Sequence, residues 1–309
     1  MKTNTENKYK KKTSIKKNQN TLLSTPLSVL NQEKKTLYKE VISDKNSISS
    51  KQQNYINSVR LQSFFIYFFR FLLLFLFLAL WETSSYLGWI DNFFFSSPSA
   101  VVKLFIDMCK NFEILRHIGI TLIETLISFL GVTIFSILCA ILLISFPKAA
   151  KVLEPFLVIL NSLPKSALAP LIIVWLGTGM KTIIIAGMSV AIFGSIINMY
   201  TGFMQVEEEK IKLIYTLGGT KKDTLFKVIL PSSISIIISN MKVNIGLSLV
   251  GVIIGEFLAA RQGLGYLIIY GSQVFQLDLL IMSIIILCFI AVGLYQIIQM
   301  IEKHYMKIS

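Results

Sequence analysis

Residues 64–81 read FFIYFFRFLLLFLFLALW, eighteen positions whose single charge is Arg70. A helix that crosses a bilayer needs about 20 mainly apolar residues. A helix apolar on every side has no polar face to give to water. Arg70 sits near the inner end, where a long cationic side chain can snorkel to the interface. Five further apolar runs follow: about 125–146, about 155–176 (interrupted by Pro164 and Pro170), 182–204, about 236–260 and 279–300. Trp81, Tyr86 and Trp89 cluster after the first run, as interfacial aromatics do. The expected fold is therefore all-α, a polytopic membrane protein with about six transmembrane helices.

Composition agrees. Of 309 residues 54% are hydrophobic and only 15% charged, against roughly a quarter charged in soluble domains. Cys109, Cys139 and Cys288 have no disulfide or zinc spacing, and the last two read as small core residues. His117 and His304 are too few and too distant for a histidine metal site. Residues 1–60 hold twelve lysines and one arginine against four acids, which leaves +9 of the chain's +13. This tail is expected to be a disordered basic cytoplasmic segment, a topology anchor suited to anionic lipid, ahead of a transmembrane domain over 61–309. Some sixty polar residues before the first apolar run do not read as a signal peptide, and one arginine does not make a transit peptide.

Lysine and arginine bias orients the spans. With the tail inside, Lys148 and Lys151 fall inside, as do Lys210, Lys212, Lys221, Lys222, Lys227, Lys303 and Lys307. Both termini are then expected in the cytoplasm of a cell-membrane protein. Outside, SPSAVVKLFIDMCKNF (97–112) places Val101, Leu104, Phe105 and Met108 at helical spacing, an amphipathic helix packed on the bundle.

Between the fourth and fifth spans lies TLGGTKKDTLFKVILP (216–231), a polar, lysine-bearing loop in an otherwise apolar region. Glu207, Glu208 and Glu209 open a short helix, where the helix dipole favours acids. Gly218-Gly219 breaks it. Thr220 reads as the next N-cap with Asp223 at its third position, and Pro231 is expected to close the second helix. The expectation is helix, glycine turn, helix over about 205–231, with Leu225 and Phe226 exposed and in want of a partner.

The spacing of Gly218, Val228 and Leu230-Pro231 resembles the "EAA" loop of permease subunits of binding-protein-dependent ABC importers. Lys212, Leu213 and Ile214 stand where that family has Glu-Ala-Ala. SLPKSALAPLIIVWLGTGMKT (162–182) is similar to the proline-broken third span of the nitrate/sulfonate/taurine branch. It matches at Pro164, Ala167, Pro170, Leu171, Trp175, Gly177 and Gly179. SSPSAVV (96–102) is similar to that branch's outer segment, and residues 244–268 resemble its fifth span with Glu256, Gly263 and Gly265 in register. Glu124, in TLIET, departs from the arginine that branch usually carries.

The resemblance covers roughly 64–305 and implies a type I importer permease. Leu217, Gly218, Thr220, Leu225, Phe226, Leu230 and Pro231 would form the loop that docks on a cytoplasmic ABC ATPase. The implied partners are that ATPase, an extracytoplasmic substrate-binding protein, membrane lipid and a second copy in a homodimer, with no nucleic acid. The implied solute is a nitrate-, sulfonate- or taurine-type anion or a vitamin precursor. No cofactor is expected on this chain, because ATP would be used by the partner. GTGMKT (177–182) lacks the glycine-lysine spacing of a phosphate loop.

Pro164, Pro170, Trp175, Asn244 and Glu256 are the pathway candidates. Prolines at membrane depth free carbonyls that are tolerated where backbone meets protein or a water-filled cavity. Glu256 reads either as a pathway or outer-gate residue or as a structural pair with Lys242 or a backbone amide. Lys165 is a solvated lysine at a helix break or a contact for an anion. Asn198, Asn240 and Asn244 are placed to bond helices together. Two other classes compete. A membrane-embedded enzyme needs clustered His, Asp, Glu or Ser at membrane depth, and an ATP-independent transporter or channel has no use for the 206–231 loop.

Overall fold

The structure is a computed structural model that describes residues 61–306 apart from Ser63; the basic tail lies outside the described residues. The chain divides between Phe77 and Leu78 into two compact units. The described part of the first is the opening of α1, Phe64–Tyr86. The second holds the rest: α2 (Pro98–Lys110), α3 (Glu113–Ser145), α4 (Pro147–Ser162), α5 (Lys165–Leu176) and α6 (Met180–Met204). α7 (Glu208–Thr216), α8 (Lys221–Ser232), α9 (Ile234–Ala259), α10 (Leu264–Gln273) and α11 (Leu277–Met306) complete it. No strand occurs among the described residues.

Five of these helices are long and apolar enough to cross a membrane, or six if the α4–α5 pair counts as one broken span. That pair corrects the third expected span, because α4 and α5 meet at 96°. The bend falls at Leu163-Pro164, where both residues adopt extended backbone and Pro164 caps α5. Pro170, expected to interrupt as well, lies inside α5 without ending it. α3 starts about twelve residues before its apolar run, because Glu113, Arg116 and His117 are helical yet polar. Residues Leu264–Gln273 form α10, a short helix between the fifth and sixth expected spans.

The centre of the bundle is α3, α6 and α9, with α6 packed against both of the others. Small residues let these backbones approach, as they do wherever membrane helices pack by contact rather than by exclusion from water. A Cβ on Gly251 would lie 2.8 Å from the Gly187 Cα and 3.0 Å from the Ala186 carbonyl oxygen. Around this centre, α5 packs on α6 and α9, and α11 packs on α9, α10 and α2.

α2 packs as expected through three of its four pattern residues, whereas Phe105, expected on the same face, is exposed. Ser97 Oγ accepts from the Ala100 N–H at its N-terminus, and Val101 is buried with Leu104 and Met108 against α10 and α11. Cys139 packs in a core, whereas Cys288, expected in one, is exposed on α11.

Candidate functional site

α7 and α8 form the helix–turn–helix that the polar loop predicts. Glu208 and Glu209 occupy the first turn of α7, and Lys212 pairs with Glu208 at 3.0 Å. The turn is a Schellman motif: the Gly219 N–H donates to Ile214 O (2.8 Å) and the Gly218 N–H to Tyr215 O (3.0 Å). Gly218 has φ +81°, a conformation glycine takes without a Cβ penalty. Gly219 is needed for another reason, since a Cβ there would meet the Ile214 carbonyl oxygen at 2.9 Å.

Thr220 then starts α8 with a capping box. Its Oγ1 accepts from the Asp223 N–H, and Asp223 Oδ2 accepts from the Thr220 N–H at 2.9 Å. Lys227, 2.7 Å from the Asp223 carboxylate, is the largest cause holding that acid well below the usual carboxylate range; the Thr220 hydroxyl and N–H add to it.

α8 ends at Ser232, one residue past Pro231, so the proline lies in its last turn. Residues Leu225–Ile229 widen into a π turn and the chain continues helically through Leu230–Ser232. Proline cannot donate to the ladder and crowds the carbonyl four residues earlier, and a widened turn next to it relieves both demands. Leu225, expected to be exposed, is half-buried. With Ile229 and Leu230 it packs on Ala140, Met199 and Phe203, at the ends of α3 and α6. The exposed apolar side chains of α7, the turn and α8 are Leu213 (57%), Tyr215 (47%), Leu217 (75%) and, as expected, Phe226 (61%). One side of α8 is therefore bolted to the bundle while the turn presents hydrophobic groups outward.

At the opposite end of the bundle, α3 and α9 together cap the start of α10. A helix N-terminus leaves its first N–H groups without intrahelical partners. His117 Nδ1 accepts from the Gly263 N–H (2.9 Å), Thr121 Oγ1 from the Leu264 N–H (2.8 Å), and Glu256 Oε2 from the Gly265 N–H (2.5 Å). The Thr121 hydroxyl in turn donates to Glu256 Oε1 at 2.7 Å. A carboxylate at a helix N-terminus is also favoured by the dipole. Gly263 (φ +115°) leaves room that a Cβ would take from the Glu256 carboxylate. Of the two structural partners weighed for Glu256, the backbone amide is the one found; Lys242 instead contacts both oxygens of Glu302 at 2.8 Å.

The pathway candidates do not meet at one place. Pro164, Pro170 and Trp175 (72% exposed) lie on the surface, whereas Asn244 and Glu256 are buried. Asn240 and Asn244 both donate to Ser195 Oγ at 2.8 Å and so bond α9 to α6; Asn198 is exposed and takes no part in that bond. Sequence reading missed His117 and Thr121. The available signal was a Gly-x-Gly start to a helix, which demands acceptors, with a carboxylate seven residues ahead of it.

Such a bundle, carrying a capped helix–turn–helix at one end, is the architecture of a multi-pass transport subunit. The profile of the family described as "Binding-protein-dependent transport system inner membrane component" matches residues 132–305. The chain is 29% identical over 219 residues to the "Probable ABC transporter permease protein" of Haemophilus influenzae, covering 71% of this chain and 88% of that one. It is 25% identical to the formylaminopyrimidine transport permease protein of Halalkalibacterium halodurans (61% and 75% covered). To the taurine transport system permease protein of Escherichia coli it is 23% identical (69% and 80% covered). In fold it is similar to a chain of the inward-facing MetNI methionine ABC transporter, with a TM-score of 0.56, 16% identity, and 63% of this chain and 97% of that chain covered. The protein belongs to the binding-protein-dependent transport system inner membrane component family, and is an ABC importer permease.

Proposed function

We propose that this permease works as a homodimer, with both termini cytoplasmic, beneath an extracytoplasmic binding protein and above a pair of cytoplasmic ATPase subunits. The α7–α8 turn is the part that receives the ATPase. The observation that carries this reading is its two-sided construction. Leu217 and Phe226 are exposed on the outside, while Leu225, Ile229 and Leu230 fix α8 to the ends of α3 and α6. A displacement imposed on the exposed side is thereby delivered to the two helices at the bundle centre. Nothing in this requires covalent chemistry on this chain, and ATP is hydrolysed by the partner.

The exposed face of α5, with Leu171, Val174 (81%) and Trp175, points away from α6 and α9 and suits a second copy, with the solute path between the two. The solute is a small molecule handed over by the binding protein, either a nitrate-, sulfonate- or taurine-type anion or a vitamin precursor. The test is reconstitution in liposomes with a cognate ABC ATPase and binding protein. ATP hydrolysis should rise when loaded binding protein is added outside. Uptake that proceeds at the full rate without ATP would refute the reading and favour an ATP-independent transporter.

A further inference from the structure

Of the three side chains that clasp the start of α10, His117 is the one whose ordinary titration lies nearest neutral pH. Its Nδ1 is 2.9 Å from the Gly263 nitrogen and 3.1 Å from the Gly263 carbonyl oxygen. An imidazole nitrogen accepts only while it carries no proton, and in the imidazolium both nitrogens are donors. In the neutral ring, Nδ1 therefore accepts from the Gly263 N–H. Once protonated, it can bond only the carbonyl oxygen, which already accepts from the Leu267 N–H at 3.2 Å to close the first turn of α10. The Gly263 N–H, on a buried residue, then faces a second donor and has lost its acceptor. A buried donor left in that state is costly.

The His117 ring is half-buried and forms part of the wall of an open cleft of about 510 Å³, through which solvent protons reach it. The charged and titratable groups around it are Glu113 and Arg116 on α3, Arg261 after α9, and Tyr266 and Tyr270 on α10. The Tyr266 ring stacks on the imidazole, and Glu256 lies against Gly263. α2 and α11 bring no charged side chain to the wall of this cleft. A proton on His117 thus adds a third cation, beside Arg116 and Arg261, where Glu113 is the carboxylate on the wall. Loss of the acceptor and like-charge repulsion act in the same direction.

We propose that His117 is a proton-operated latch. Neutral, it ties α3 to the start of α10; protonated, it releases that tie. The bond belongs to the neutral ring, so it is complete above the imidazole range and is lost as pH falls through it, between about pH 7 and pH 5. Release is confined to Gly263, because Thr121 and Glu256 still hold the Leu264 and Gly265 N–H groups. The latch lies at the end of the bundle opposite the α7–α8 turn and stands apart from the importer reading.

The test uses full-length permease in lipid nanodiscs. Exchange of the Gly263 amide is followed by mass spectrometry with electron-transfer fragmentation and corrected for the intrinsic rate at each pH. Protection should fall about tenfold between about pH 7.5 and about pH 5. His117→Asn, whose side-chain oxygen stands where Nδ1 does and takes no proton, should keep its protection at both. With isotope-labelled histidine and His304→Gln, which removes the chain's other imidazole, the NMR titration of His117 should share its midpoint with the exchange curve. Equal protection at the two pH values, a loss that persists in His117→Asn, or two separate midpoints would each overturn the proposal. If His117→Asn does not fold, the two midpoints still decide. ATP hydrolysis stimulated by the binding protein is measured separately, and its failure refutes the importer reading without altering the exchange result.

Discussion

Replacing Gly218 isolates the angle of the α7–α8 turn from everything else in the molecule. Its φ is +81°, and a Cβ built there meets nothing within 4 Å. A substitution therefore adds no clash, only backbone strain. For a β-branched residue that conformation is an outlier, with a cost of about 1–3 kcal/mol. Spread over a bundle of long membrane helices, this is too little to prevent insertion. Set against the coupling between two sites, it is a factor of about five to 150.

Gly218→Val should therefore insert and assemble normally yet lose most of the ATP hydrolysis that loaded binding protein stimulates. Gly218→Asn should keep most of it, because asparagine visits the left-handed region readily, and Gly218→Ala should fall between. The assay is stimulated hydrolysis by the purified complex in nanodiscs, with the amount of co-purified ATPase as the control. Parental rates in Gly218→Val, or equal losses in the Asn and Val variants, would refute the argument that the turn's left-handed geometry matters.

Other substitutions separate the two ends of the bundle. Phe226→Ala should reduce ATPase co-purification at unchanged Tm, whereas Leu225→Ala should lower the Tm, because only Leu225 packs on the Ala140–Met199–Phe203 cluster; differential scanning fluorimetry reads both. Glu256→Ala orphans the Thr121 hydroxyl and the Gly265 N–H, at about 1–3 kcal/mol for each unsatisfied donor, and should speed hydrogen exchange at the start of α10. Ser195→Ala removes the acceptor shared by Asn240 and Asn244 and should cost about 1 kcal/mol in an unfolding titration in mixed micelles. Asp223 titrates with a lowered pKa, so its support of α8 is complete above the ordinary carboxylate range and is lost only as pH falls below it. Exchange protection over 221–229 should thus be flat from neutral to mildly acidic pH, and Asp223→Asn should reduce it throughout.

The spans were legible because hydropathy is a local property of the chain. The run at 64–81 and those opening near 182 and 236 needed no partner to be recognised. The α7–α8 turn was legible for a similar reason: Gly218-Gly219, Thr220 and Asp223 satisfy orphaned backbone groups within a few residues of themselves. What could not be read depended on distant contacts. Whether Leu225 or Phe226 faces outward is decided by Ala140 and Phe203, far away in sequence. Pro231 marked the end of α8 to within one residue because a proline rule is local, whereas the π turn at Leu225–Ile229 had no local signal. The cap on α10 draws on His117 and Thr121, some 140 residues before the amides they bond. The 96° bend between α4 and α5 was signalled by Pro164 as a break, but no local rule sets its angle.

The central claim is that the α7–α8 turn touches the ATPase. It is tested most directly with a benzophenone photocrosslinker placed at Phe226, and at Phe289, also exposed (73%) but on α11, as the control. After illumination of membranes containing the whole complex, the Phe226 position should crosslink to the ATPase subunit with a yield that changes on adding ATP, and the Phe289 position should not. A complex that co-purifies and transports, yet gives no crosslink to the ATPase from Phe226, would contradict the account.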